Sequence, residues 1–172
     1  MFGSIDRILA ASDRQIVETC REDGDIGRLI AAARRLIEAA MHTNVTRSAV
    51  DSADPAFQRY LIGKFRGRPL EELHAIYVDD ADGFIAEELI AGGGAGSVNA
   101  SLRQIVGRGL ELGAAGLVLF HNHPSLRPEP SIEDIRSTHR VAGVIAAVGI
   151  RLVDHLIVAG HKVSSMKRMG LI

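Results

Sequence analysis

Two histidines and one aspartate carry the clearest chemical signal in this chain. The segment reads His121-Asn122-His123-Pro124, then six residues, then Ser131-Ile132-Glu133-Asp134. An apolar run, AGLVLF at 115–120, leads into it, of the kind that forms a buried strand. Residues two apart on a strand point the same way, so His121 and His123 can aim both imidazoles at one point. Pro124, Pro128 and Pro130 stiffen the loop that follows. That loop returns the chain to a helix whose first turn holds Asp134. Two imidazoles and a carboxylate make a catalytic zinc set with a fourth position left for water. Bound zinc brings such a water to a pKa of about 7, and a nearby carboxylate can take its proton. Ser131 and Asp134, taken alone, also make a good helix start, a serine N-cap with an acid at N3.

Composition sets few limits on that reading. Apolar residues make up 47% of the 172, and the formal net charge is −1. No global charge draws the chain to nucleic acid or to acidic membranes. The length suits one domain, or one domain with a small appendage. Residues 1–68 hold 11 Lys and Arg against 9 Asp and Glu, an excess too small to argue for DNA binding by itself. Cys20, the single cysteine, has no internal partner and reads as a packed small hydrophobe in a reducing compartment. With no secretory signal and no apolar run of about eighteen residues, the expectation is a cytoplasmic protein without a membrane span.

The elements that must position the site follow from pattern. A helix is expected over 26–41, a Ser/Thr/Asn/Asp-rich loop from His42 to Pro55, and a helix from Pro55 to Phe65. Strands are expected at 72–79 and 84–90, joined as a hairpin by the turn residues Asp79 to Gly83. After a glycine-rich loop, Gly92 to Gly96, a helix covers about 100–112, ended by Gly113. The strand at 115–120, a helix from Ser131 to about Val148, a strand at 150–159 and a short strand near Val163 complete the series. The class is α/β (α+β), a mixed sheet flanked by helices. The glycine run lacks a following Gly-Lys-Ser/Thr, so it is not a phosphate loop. His74, on the first strand, is placed either near the site or at the surface. His42, His139 and His161 read as surface residues.

The segment HNHPSLRPEPSIED resembles the JAMM motif of the JAB/MPN metalloprotease superfamily, and more narrowly the RadC family, bacterial proteins long labelled as DNA repair proteins. Asp154-His155-Leu156-Ile157-Val158, Ser164 or Ser165, the ending Gly170-Leu171-Ile172 and the stretch GLELGAAGLVLF also fit that family. The resemblance covers roughly 68–172. It implies a JAB/MPN-like fold over 68–172, preceded by a helical region at 1–67 similar to a degraded helix-hairpin-helix. It implies zinc on His121, His123 and Asp134, and Ser131 donating to the oxyanion of the reaction. It puts the general base, counted back from Val78-Asp79, on Glu71. Glu72, on the opposite face of a strand, is the competing position, and Glu87 and Glu88 are weaker ones. Asp154-His155 ranks below the ligands, as a supporting or structural pair. The chain departs from the family at Leu126, where the family has Gly, at Leu102-Arg103-Gln104, where it has Pro-Arg-Glu, and in the run Gly92 to Gly96, where it has Gly-Thr.

The function implied is a zinc-dependent hydrolase of an amide or isopeptide bond, with a peptide or isopeptide substrate. The alternative is a DNA-repair-associated nucleic-acid-binding protein whose JAMM domain is accessory. Glu22, Asp23 and Asp25 in the N-terminal region would repel phosphate, which weakens that alternative. A catalytically idle interaction module is disfavoured by the intact His121, His123, Ser131 and Asp134.

Overall fold

Short, nearly continuous apolar runs over 73–78 and 116–120 build a sheet core, and helical periods on either side cover it. A computed structural model describes residues 13–20, 24–46, 49–92 and 98–172. Helices α1 (Asp13–Thr19), α2 (Gly24–Thr46) and α3 (Pro55–Phe65) come first. Strands β1 (Glu72–Val78) and β2 (Phe84–Gly92), helix α4 (Val98–Glu111), strand β3 (Gly116–Asn122), helix α5 (Ile132–Ala146) and strands β4 (Arg151–Ala159) and β5 (Lys162–Ser165) follow. The first twelve residues, Glu22, Asp23 and most of the glycine run (93–97) lie outside the described residues.

The strands form one sheet in the order β2-β1-β3-β4-β5. Only β3 and β4 run parallel, joined over α5, and the other pairs are antiparallel. The strand carrying the histidines is therefore central, and every residue of it is buried. Burial on both faces explains its continuous apolar sequence. On one face Ile76, Val78, Val118, Phe120, Leu156 and Val158 meet Phe57, Tyr60, Leu61 and Phe65 of α3. On the other, Ala75, Tyr77, Leu117 and Leu119 meet Ile105 of α4 and Val141 and Ile145 of α5. His121 continues the row of Leu117 and Leu119, so its ring belongs on the face that α5 covers. Helix α2 packs on α1 and α3 and reaches β2.

Two expectations are corrected. The segment read as a loop from His42 starts as helix, because α2 runs on to Thr46. The Thr43 hydroxyl donates to the Ala39 carbonyl at 2.9 Å, so a residue type that favours loops satisfies its polar group within the helix. His74 is neither exposed nor at the histidine site. It is 6% exposed on the α3 face, with its ring stacked on Phe120 at 5.3 Å and edge-on to Phe65 at 5.4 Å.

Candidate metal centre

β3 ends on Asn122, but pairing continues one residue further, because His123 N donates to Val158 O at 2.8 Å. The chain stays extended across His121 and His123, and both rings turn to one side. Their Nε2 atoms lie 2.9 Å apart. The loop then tightens, with Leu126 N donating to His123 O at 3.0 Å and Leu126 held at φ 61°. This turn brings the Arg127 carbonyl to His123 Nδ1 at 2.8 Å. A carbonyl can only accept, so Nδ1 carries the proton and Nε2 keeps its lone pair.

The helix start then delivers the carboxylate. Ser131 caps α5, its Oγ accepting from Asp134 N at 3.1 Å, while Asp134 Oδ2 accepts from Ser131 N at 2.6 Å. This capping box fixes Asp134 at the first turn. One carboxylate oxygen faces each histidine, Oδ1 at 3.4 Å from His121 Nε2 and Oδ2 at 3.4 Å from His123 Nε2.

Glu71 precedes β1 and completes the group, with Oε1 3.9 Å from His121 Nε2. Its backbone is tied on both sides by one side chain. Asn122 Nδ2 donates to Leu70 O at 3.0 Å, and Asn122 Oδ1 accepts from Glu72 N at 2.8 Å. Glu72 turns away, to Arg68 at 3.3 Å and His74 at 3.4 Å. Glu88 pairs with Arg108 at 2.5 Å. Glu87 lies on the α3 face, accepting from the Tyr60 hydroxyl and paired with Lys64 at 2.5 Å. Of the four glutamates, only Glu71 joins His121, His123 and Asp134.

Electrostatics favours an uncharged His121 ring. Burial pulls the His121 pKa down to about 4, reinforced by His123 and only partly offset by Asp134. Burial would raise Asp134, but the Ser131 hydrogen bonds and the two histidines outweigh it and hold the carboxyl below its ordinary value. Glu71 is raised, chiefly by burial, with His123 pulling the other way and Asp134 adding to the rise. Its side chain remains 57% exposed, so it can exchange protons with solvent.

One ligand atom from each of Glu71, His121, His123 and Asp134 lies within 4.8 Å of the others. Two ring nitrogens and two carboxylates turned on one another could hold a cation between them, and nitrogen with carboxylate oxygen is a donor set that zinc accepts. The residues present therefore fit a divalent metal.

Several contributors carried a weak signal in the sequence. His155 lies on β4, its Nε2 2.9 Å from His121 Nδ1. Thr138 of α5 stands behind it, Oγ1 2.6 Å from His155 Nδ1. Asp154 faces the other way and ties down β5 and the turn beyond, accepting from Ser165 Oγ at 2.6 Å and Lys167 N at 3.2 Å. Asn122 and the Arg127 carbonyl have no signature at all as site groups. Beside His123 opens a cleft of about 370 Å3 whose lining includes Arg66, Arg68, Leu126 and His161. No helix among the described residues is long and apolar enough to cross a membrane.

Comparison with known proteins identifies the family. The RadC-like JAB domain family matches residues 51–171. A "UPF0758 protein" of Rhodobacter capsulatus is 31% identical over all of this chain and 80% of its own length. Another from Ruegeria pomeroyi is 32% identical over 98% of this chain and 75% of its own. A third, from Paraburkholderia phytofirmans, is 33% identical over 98% and 65%. With its two histidines, aspartate and glutamate converging at the end of the central strand, this chain belongs to the RadC-like JAB domain family.

Proposed function

We propose that the chain is a zinc-dependent hydrolase that cleaves an amide or isopeptide bond with an activated water. The observation that carries this reading is the convergence of His121, His123, Asp134 and Glu71. Zinc held by the two histidines and the aspartate supplies a Lewis acid and a water ionised near neutral pH.

The chain's own residues supply the rest. Glu71 reaches the group with Oε1 3.9 Å from His121 Nε2, and burial raises its pKa. It takes the proton of the attacking water and passes it to the leaving amine. Ser131, whose hydroxyl stands at the start of α5 and accepts from Asp134 N, donates to the oxygen on which negative charge develops. The cleft beside His123, with Arg66, Arg68 and His161 in its wall, gives the substrate chain a place to lie. The substrate is a peptide or isopeptide.

The test compares zinc-loaded wild type with Glu71→Gln on a panel of quenched peptide- and isopeptide-linked substrates. Wild type is expected to cleave one class. Glu71→Gln should retain zinc and lose about 10²–10⁴-fold in rate. Equal cleavage by both proteins would overturn the role given to Glu71. Cleavage that survives removal of zinc would overturn the proposal as a whole.

A further inference from the structure

We propose that Thr138 and His155 are positioning residues that fix which nitrogen of His121 faces the metal. This rests on the metal-site reading above and adds residues that bind no metal themselves. His121 Nδ1 and His155 Nε2 are 2.9 Å apart, and a neutral imidazole carries one N–H. Either ring could therefore be the donor. If His155 donates, His121 must carry its proton on Nε2, pointing at His123 and blocking the lone pair a metal needs. If His121 donates, its Nε2 is free.

The choice is made two residues further back. Thr138 Oγ1 lies 2.5 Å from the Asp134 carbonyl and 2.6 Å from His155 Nδ1. A hydroxyl has a single proton, and a carbonyl can only accept. Once Thr138 donates to Asp134 O, it must accept from His155, so the His155 proton sits on Nδ1. His155 Nε2 then accepts from His121 Nδ1–H, and His121 Nε2 is left with its lone pair facing Asp134 and His123. The chain of bonds begins on the backbone of one ligand, Asp134, and ends on the ring of another, His121. Thr138, His121 and His155 are all at most 3% exposed, so water does not compete for these bonds. The His155 ring also braces His121 at a centroid distance of 4.9 Å.

The experiment uses the full chain, labelled with 15N and first freed of zinc. Long-range proton–nitrogen spectra at neutral pH should show His155 and His121 both protonated on Nδ1 and bare on Nε2. A His155 protonated on Nε2 would overturn the proposal without any variant. Thr138→Val keeps the shape and removes the hydroxyl. It should weaken zinc binding, measured by competition with a chelator, by about 10–100-fold, and the spectra should show His121 losing its single tautomer. Thr138→Ser should restore both. Unchanged affinity and an unchanged His121 tautomer in Thr138→Val would also overturn it. A wild type that binds no zinc contradicts the hydrolase reading instead, and the spectra of the same zinc-free sample still decide the tautomer.

Discussion

His121 and His123 turn their Nε2 atoms toward each other at 2.9 Å, while each commits its Nδ1 elsewhere, His121 to His155 at 2.9 Å and His123 to the Arg127 carbonyl at 2.8 Å. Rings tied at the back cannot swing apart easily. The pair is thus organised by the protein before any metal arrives, and binding does not have to order two loose side chains.

That organisation separates the ligands by what else they do. His123→Ala removes a ligand and its hydrogen bond to the exposed Arg127 carbonyl, which water can replace, so the metal-free protein should lose little stability. Asp134→Ala also removes the acceptor for Ser131 N, so the metal-free protein should lose about 1 kcal/mol more. Urea unfolding in chelator checks this. Equal stability of the two variants would show that the capping box contributes nothing.

Asn122 holds the backbone on both sides of Glu71. Asn122→Ala leaves the Glu72 N–H and the Leu70 carbonyl without their partner, and should cost about 1–3 kcal/mol. Zinc stoichiometry should stay at the wild-type level while hydrolysis falls. Loss of zinc in this variant would mean that Asn122 supports the ligands rather than the base.

Leu126 adopts φ 61°, a left-handed conformation that strains a residue with a branched side chain. The side chain is 67% exposed, so little burial offsets the strain. Leu126→Gly should raise stability by up to about 1 kcal/mol, after allowance for the entropy that glycine adds to the unfolded chain. A lower melting temperature would show that the place of Leu126 in the cleft wall beside Gly160 matters more than the backbone.

The metal-free chain should weaken in mild acid. Burial lowers His121 to about 4 and His155 to about 3, so the unfolded chain takes up protons that the folded one refuses. The stability is fully present above the unfolded histidine value of about 6.5 and is lost as pH falls toward those lower values. Glu87 adds a second window. Burial would raise its carboxyl, but His74, Lys64 and Tyr60 together pull it down to about 2. Its contribution is lost between about 4.5, the unfolded value, and about 2. His74 Nδ1 stands 3.6 Å from Glu87 Oε1, an ion-pair distance rather than a hydrogen bond. Denaturation in chelator should give lower stability at about pH 5.5 than at about pH 8, and equal values would contradict the histidine account.

The sequence carried the ligand pattern because strand alternation and a helix cap are local rules. His121 and His123 share a face by spacing alone, and Ser131 with Asp134 announces the helix start. The mixed sheet and its helices were legible for the same reason, from periods of two and of 3.6 residues. Strand alternation alone could not choose between Glu71 and Glu72; the family register pointed to Glu71, but not to what holds it at the histidines. That depends on Asn122 binding the backbone on both sides of Glu71, a contact across fifty residues. The burial of His74 was hidden too, because it follows from Phe65 and Phe120, which arrive from other elements. The partnership of Thr138 and His155 depends on how α5 lies over β4, and no short-range pattern encodes it.

The most direct test is a zinc-soaked crystal measured at the zinc absorption edge. The account predicts one anomalous peak per chain, about 2.0–2.2 Å from His121 Nε2, His123 Nε2 and an Asp134 oxygen, with Glu71 near it but not bound. Absence of a peak among those three side chains, with zinc in excess, would contradict it.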